Sequence, residues 1–278
     1  MDTVSNQRRT AWPGRVARYG PAVGATPDIE LLRAGNPGPF TLEGTNTWLV
    51  GRDPCWVVDP GPDLAEHLDA LAAAGAARGG IAGIVLTHDH GDHAEGVPGL
   101  LDRVGSGVPV AAARAPVATT TVGHGDAVGP FEVIATPGHA PDHLAFRHGD
   151  ALFSGDAVLG RGSVFIAPDP GALRGYLAAL DHLLTLDLAT IHPGHGPLVG
   201  DPAAKLAEYR DHRLDRERRL VTALAGGLRS VDELLDAVWA DVPAVLRPAA
   251  TVTLAAHLDK LAEDGRLPEG VERPALGL

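Results

Sequence analysis

Short apolar runs alternate with turns that contain Gly or Pro between residues 47 and 191. This pattern predicts strands at 47–50, 56–58, 81–86, 108–112, 131–135, 144–147, 151–153 and 189–191. Apolar positions at helical spacing predict helices at 63–76, 94–103 and 171–185, with Asp63 as the N-cap of the first. The mixture of strands and helices predicts an α/β (α+β) fold for this part of the chain.

The pattern changes to helix alone after about residue 202, where helices are predicted at 203–225, 230–240 and 248–264. Ser230 followed by Glu233 matches a capping box. Three helices with short connections and a terminal turn are typical of a small winged-helix-like module. We therefore predict an N-terminal extension over 1–27, a catalytic domain over 28–200 and a helical domain over 201–278.

Four of the predicted strands end in a Gly- or Pro-containing loop that carries His or Asp, and scaffolds place reactive groups in such loops. The richest is the run His88-Asp89-His90-Gly91-Asp92-His93. Imidazole and carboxylate groups are the ligands that zinc takes. Because alternate residues of an extended loop point opposite ways, His88 and His90 would serve one ion, and Asp92 and His93 another.

Two ions need more ligands than one loop supplies, and His139, Asp156 and His195 each sit at another strand end. The predicted metal ligands then fall into two sets with one shared carboxylate. They are His88, His90 and His139 on one ion, Asp92, His93 and His195 on the other, and Asp156 as the bridge. Two Zn²⁺ ions are expected, with Mn²⁺ or Fe²⁺ as alternatives.

This set, together with Asp59, resembles the five motifs of the metallo-β-lactamase superfamily in order and at similar spacing. The resemblance covers about residues 28–200 and implies an αββα sandwich with a dimetal site at one sheet edge. It also implies that Asp59 fixes the His loop without binding metal. The preference for His195 over His192 rests on the family's Pro-Gly-His-Gly pattern. We interpret His192 as structural and His143 as a residue that supports the ligands or faces the substrate.

Three stretches, 36–47, 136–143 and 246–250, are similar to the β-lactamase-like protein 2 group of endoribonucleases and their bacterial relatives. That group carries a similar C-terminal winged-helix-like module. The resemblance implies cleavage of single-stranded RNA. Its rival is acyl-thioester or ester hydrolysis, because near relatives include thioesterases tied to polyketide assembly.

The expected chemistry is hydrolysis by a hydroxide that two ions share, with Asp92 and Asp156 as the catalytic residues that orient it and accept its proton. Asp156 argues against β-lactam cleavage, because true β-lactamases of this fold generally lack that carboxylate. His90 argues against the flavin-linked di-iron relatives, which carry an acidic residue there. A mono-iron dioxygenase and a non-catalytic metal-stabilised binding protein remain as alternatives.

The charge of the chain bears on its partners. The net charge is −12, and residues 201–278 hold 11 Lys/Arg against 14 Asp/Glu, so no DNA readout is expected from the helical domain. Five arginines of the first tail helix are interpreted as a solvated face paired with neighbouring acids: Arg210, Arg213, Arg216, Arg218 and Arg219. The expected substrate is a small thioester or ester, or single-stranded RNA.

The chain lacks a membrane-spanning run and a signal-peptide pattern, so no membrane partner and a cytoplasmic location are expected. Cys55, its one cysteine, is assigned to the core. The tail is a candidate lid over the site or a contact in a homodimer. The loops 36–47 and 158–168 and the tail are the candidate pocket walls, with four candidate side chains: Phe40, Thr45, Asn46 and Phe165.

Overall fold

In the computed structural model, the described residues are 28–166 and 168–276, together with the backbone of 17–19. The predicted N-terminal extension over 1–27 therefore lies outside the described residues, apart from that short backbone segment. Twelve strands and seven α-helices are found among the residues described.

The first sheet contains seven strands of the described chain in sequential order. They are β1 (Ala17–Tyr19), β2 (Ile29–Arg33), β3 (Asn46–Val50), β4 (Cys55–Val58), β5 (Ile81–Val85), β6 (Val110–Ala112) and β7 (Thr120–Thr121). Strands β1 to β4 pair antiparallel, and β4 to β7 pair parallel. Since β4 and β5 are parallel, their carboxyl ends lie at the same edge.

The second sheet has the order β12-β11-β10-β9-β8 in the described chain. Its strands are β8 (Ala127–Val128), β9 (Phe131–Ala135), β10 (Leu144–His148), β11 (Ala151–Gly155) and β12 (Thr190–Pro193). The pairings are antiparallel except for β11 with β12, which are parallel. The carboxyl ends of these last two strands therefore also lie side by side.

Helices cover both sheets and form the tail. They are α1 (Ala65–Ala76), α2 (Gly91–Ala94), α3 (Val97–Val104), α4 (Ala172–Leu183), α5 (Pro202–Ala225), α6 (Val231–Val238) and α7 (Arg247–Glu263), with a 3₁₀ turn at Ala244–Leu246. Among the described residues no helix is both long enough and apolar enough to cross a bilayer.

The packing confirms the αββα sandwich. Side chains of both sheets meet in one buried cluster, which includes Trp48, Val85, Phe131 and Phe153. Leu68 and Leu100, on α1 and α3, pack on the outer face of the first sheet. Tyr176 and Leu180, on α4, pack on the outer face of the second. Two sheets thus share a core and each has helices on its outer side.

All eight predicted strands are confirmed within a few residues, but β1, β2, β7 and β8 were missed. The predicted N-cap is wrong: α1 begins at Ala65, with Leu64 in the cap position and without a side-chain cap bond. The predicted extended loop over 88–93 is also wrong in its second half. His90 O accepts hydrogen bonds from the amides of His93 and Ala94, so the chain turns into α2 there.

The helices of the tail pack through leucines that include Leu220, Leu234 and Leu254. The capping box at Ser230 is confirmed, since Ser230 and Glu233 exchange side-chain and backbone bonds. The described residues after Pro193 form no strand, so the tail is helical as expected. The domain division between 200 and 201 stays a prediction.

The prediction of one solvated arginine face on α5 is wrong for Arg213 and Arg216, which are only 2% and 3% exposed. Arg216 pairs with Asp241, 2.6 Å away, beyond α6. Arg213 donates to the carbonyl oxygen of Val164, in the loop after β11. Arg213 points into the protein because α5 lies against the loop near Val164. Arg216 is covered by the end of α6 and the segment that follows it in the tail. The helical pattern alone did not reveal either contact.

Candidate metal centre

Five strand ends meet where the two sheets share an edge. Asp59 follows β4, and the run from His88 to His93 follows β5. The second sheet contributes His139, Asp156 and His195 from the segments after β9, β11 and β12. All seven predicted ligands fall into three overlapping groups whose ligand atoms lie within 4.8 Å of one another.

The first group joins the imidazoles of His88, His90 and His139. His90 Nδ1 lies 3.0 Å from His88 Nε2 and 3.1 Å from His139 Nε2. Ligands in a tetrahedron with metal–nitrogen bonds of about 2.0–2.1 Å are about 3.3 Å apart. The three nitrogens therefore have nearly the spacing of ligands that surround one ion.

The second group joins Asp92, His93 and His195. His195 Nε2 lies 3.3 Å from His93 Nε2 and 3.1 Å from Asp92 Oδ2. The distance from His93 Nε2 to Asp92 Oδ2 is 3.6 Å. This group has the same spacing as the first but contains a carboxylate.

Asp156 lies between the two groups. Its Oδ1 is 3.5 Å from His93 Nε2, and its Oδ2 is 3.7 Å from His139 Nε2 and 3.5 Å from His195 Nε2. Burial would raise the pKa of Asp156, but His195 and His93 hold it well below its usual value. The buried Oδ1 has no hydrogen-bond partner among the described residues, which is costly for a charged oxygen unless a cation binds it.

The histidine tautomers are set by groups behind the ligands. His93 Nδ1 lies 2.9 Å from Asp59 Oδ2, and Thr87 Oγ1 donates to the same oxygen over 2.8 Å. Having donated its one proton, the Thr87 hydroxyl can only accept from His88 Nδ1, 2.9 Å away. In the neutral form of each ring, Nε2 is therefore the unprotonated nitrogen that faces the centre, as in metal-bound histidines.

The other two Nε2 ligands are oriented by backbone carbonyls. His139 Nδ1 faces Phe165 O at 3.3 Å, and His195 Nδ1 faces Gly44 O at 3.5 Å. Burial lowers the pKa of His139 to about 4, so this ring is neutral and able to bind metal. Burial also lowers the pKa of His195, but Asp156 and Asp92 raise it to about 9. The carboxylates thus favour a cation at the second group, and the donor set fits two divalent ions.

The two histidines that sequence reasoning set apart from the ligands occupy different surroundings. His143 Nε2 accepts a hydrogen bond of 3.0 Å from the backbone amide of Asp156, while its Nδ1 faces Thr136 Oγ1 at 2.8 Å. His143 thereby holds the segment that carries Asp156. His192 stacks on Phe153 with ring centroids 4.9 Å apart, which fits a structural role.

A cavity of about 510 Å³ opens beside the centre, with His139 and Asp156 in its wall. Phe40 and Phe165 line it as expected. Thr45 and Asn46 do not, and both are fully buried. Asn46 instead donates to the carbonyls of Pro193 and Gly196 over 3.0 and 2.9 Å, so it braces the loop that carries His195.

Comparisons with known proteins agree with this fold. The family described as "Metallo-beta-lactamase superfamily" matches residues 40–128 and 106–195. The "Beta-lactamase associated winged helix domain" matches residues 230–270. The chain belongs to the metallo-β-lactamase superfamily and carries the associated winged-helix domain. It is a metal-dependent hydrolase of that superfamily.

Two relatives are similar along most of the chain. A "Beta-lactamase-like protein 2 homolog" of Caenorhabditis elegans is 35% identical over 260 residues, 85% of each protein. An "Atrochrysone carboxyl ACP thioesterase" of Aspergillus chevalieri is 35% identical over 275 residues, 89% of this chain and 86% of the relative. A β-lactamase domain protein of Burkholderia ambifaria shares the fold, with a TM-score of 0.75 at 22% identity, over 89% of this chain and 91% of that one.

Proposed function

We propose that the protein is a dinuclear, zinc-dependent hydrolase of acyl thioesters or esters of small molecules. The proposed ligands are the seven residues of the three groups: His88, His90, Asp92, His93, His139, Asp156 and His195. The observation that carries the choice of substrate is the cavity that joins this centre to the helical tail.

The size and lining of the cavity suit a small organic acyl group. Its volume of about 510 Å³ lies within the range of about 300–1,000 Å³ that is usual for small-molecule sites. Leu159 and Val164 line one side, and Leu246 and Ala250 of the tail line another. In this proposal the tail supplies part of the substrate pocket, as a lid would.

When bound, two divalent ions would lower the pKa of a water molecule and polarise the substrate oxygen. Asp92 has a side chain that is 31% exposed, which makes it the carboxylate of the second group with access to solvent. Burial raises the pKa of Asp92, but His195 and His93 lower it below its usual value. We propose that Asp92 accepts the proton of the attacking water and that Asp156 orients that water.

The similarity to a carboxyl ACP thioesterase supports the thioester substrate. One observation favours the second candidate, single-stranded RNA. Phe40 is 52% exposed at the mouth of the cavity, where its ring lies edge-on to Phe165 at 6.3 Å. Exposed aromatic rings can stack on nucleic-acid bases. The net charge of −12 argues against an RNA substrate, because it repels phosphate backbones at long range.

The test offers four substrates in parallel to the metal-loaded protein: an acyl-N-acetylcysteamine thioester, a p-nitrophenyl ester, bis-p-nitrophenyl phosphate and a short single-stranded RNA. Metal content is measured by elemental analysis on the same preparation. We expect about two zinc ions per chain and turnover of the thioester or ester. Cleavage of RNA without thioester or ester turnover would replace this proposal with the second candidate.

The ligand assignment is tested with His139→Ala, and His182→Ala is the matched control because His182 is exposed on α4. His139→Ala should bind less metal and lose turnover, while His182→Ala should keep both. One iron per chain with oxygen consumption would favour the dioxygenase alternative. Full metal content without turnover of any of the four substrates would favour the metal-stabilised binding protein.

A further inference from the structure

Arg213 is a buried cation in the wall of the proposed substrate cavity. It lies on α5 and is only 2% exposed. Its Nη2 donates to Ser163 Oγ over 2.9 Å and to the carbonyl of Val164. The Nε atom is buried and has no hydrogen-bond partner in the part of the chain that the structure describes. One face of the guanidinium lies near the ring of Tyr176, with Cζ 5.5 Å from the ring centroid.

Most other charged groups around the cavity are paired with a partner. Arg161 pairs with Glu43 at 2.6 Å, and Arg216 pairs with Asp241 at 2.6 Å. Glu208 pairs with Lys205 at 2.8 Å. Within residues 28–166 and 168–276, no carboxylate lies within 4.0 Å of the Arg213 guanidinium.

Asp156, the remaining carboxylate of the cavity wall, is assigned to the metal centre. His212 adds no second positive charge: burial, with Arg213 and Arg216 nearby, lowers its pKa to about 4, so the ring is neutral near pH 7. The cavity therefore contains one positive charge that the described chain does not neutralise.

An isolated buried charge is unfavourable unless a partner neutralises it. A guanidinium is also well suited to bind a carboxylate or phosphate through several N–H groups. Because the unneutralised charge lines the substrate cavity, a substrate group is the natural counter-ion.

We propose that Arg213 recognises a single anionic group of the substrate and thereby positions the scissile bond at the metal centre. This inference rests on the proposed hydrolase function and narrows its substrate class. The anionic group has two candidate sources. It is a carboxylate on the acyl portion, or the phosphate of a phosphopantetheine-type thiol. A polynucleotide would require several such cations along its path, and the cavity offers one.

The first experiment measures kcat/KM for pairs of thioesters that differ in one charge. ω-Carboxyacyl N-acetylcysteamine thioesters of increasing length are compared with neutral acyl thioesters of equal length. The same neutral acyl group is then compared on pantetheine and on 4′-phosphopantetheine. We expect the charged member to be preferred at least tenfold in one of the two series, which identifies the source of the anion.

The preference is then measured in Arg213→Gln and Arg213→Lys, with Arg218→Gln as the matched control, since Arg218 is exposed on the same helix and pairs with Asp215. Arg213→Gln should abolish the preference, so that the charged and neutral members of each pair have equal kcat/KM in this variant. Arg213→Lys keeps the charge and should keep part of the preference for the charged thioester. Arg218→Gln should keep all of that preference. Equal kcat/KM for charged and neutral members in the wild-type protein overturns the inference while leaving the proposed function intact.

A binding measurement separates this inference from the hydrolase proposal. Calorimetry compares 4-phenylbutyrate with 4-phenyl-1-butanol on the metal-loaded wild-type protein, Arg213→Gln and Arg218→Gln. We expect the acid to bind at least tenfold more weakly to Arg213→Gln than to the other two, and the alcohol to bind all three alike. Carboxylate affinity that is unchanged in Arg213→Gln overturns the inference, since the anion would then bind elsewhere.

Discussion

Asp59 Oδ2 lies 2.9 Å from His93 Nδ1, and the same carboxylate accepts both the amide and the hydroxyl of Thr87, each at 2.8 Å. Thr87 in turn contacts His88. One carboxylate therefore orients a proposed ligand of each ion: His93 directly and His88 through Thr87. Asp59 has a φ of 51°, a conformation that Asp and Asn tolerate better than most residues.

Asp59→Asn tests this relationship with little change in shape or backbone preference. The amide keeps one acceptor oxygen but loses the charge, so it cannot hold both rings in their present tautomers. We expect metal affinity to fall about 10- to 100-fold, measured by competition with a chromophoric chelator. Asp69→Asn, at an exposed ion pair with Arg103, is the control. Equal affinities in the two variants would contradict the role of Asp59.

Gly194 lies where the chain passes closest to the proposed ligands. A Cβ atom there would meet Asp156 Oδ1 and His93 Cε1, each at 2.7 Å. Gly194→Ala should therefore push His93 and the carboxylate of Asp156 apart. We expect the variant to bind less metal and its kcat/KM to fall at least tenfold. Elemental analysis and the thioester assay check this. Gly200→Ala is the control, because a Cβ there would meet no atom of the described residues within 4 Å, and it should behave as wild type. Equal activity in the two variants would place the ions elsewhere.

The way in which the chain converges on this site could be predicted from sequence, because His and Asp residues repeatedly followed apolar strands. The family resemblance implied that Asp59 supports the His loop. In the structure, the parallel pairing of β4 with β5 brings Asp59 beside Thr87. The parallel pairing of β11 with β12 places Asp156 and His195 after neighbouring strands. The local path was less predictable, since the turn of α2 depends on amide bonds to His90 O rather than on a pattern of apolar residues.

The roles of three residues were not predicted from the sequence. Arg213 lies in a charged helical stretch where neighbouring acids suggested surface pairs, and only the packing of α5 against the loop near Val164 makes it a buried cation. Asn46 was expected in the pocket but lies behind the His195 loop. Thr87 carried no signal beyond its place before the histidine run. Such roles depend on contacts between residues far apart in the chain, which residue spacing does not reveal.

The last prediction concerns the pH dependence of stability and rests on His257, which is fully buried on α7. Neither of its ring nitrogens has a hydrogen-bond partner within residues 28–166 and 168–276. Burial, with a smaller effect of Arg213, lowers the pKa of His257 from 6.5 to about 3. The folded protein keeps this ring neutral while the unfolded chain protonates it below about pH 6.5. Stability should therefore fall as the pH drops from about 6.5 toward 3.

His257→Leu removes the titrating group, so it should lose less stability than wild type on acidification. Between about pH 7.5 and 5, the difference in the change of unfolding free energy should be about 2 kcal/mol. Urea denaturation followed by circular dichroism at both pH values measures it. Acid release of metal affects both proteins alike and cancels in the comparison. His182→Leu, at an exposed position of α4, should lose as much stability as wild type. Identical pH dependence in wild type and His257→Leu would show that His257 does not remain neutral in the folded protein.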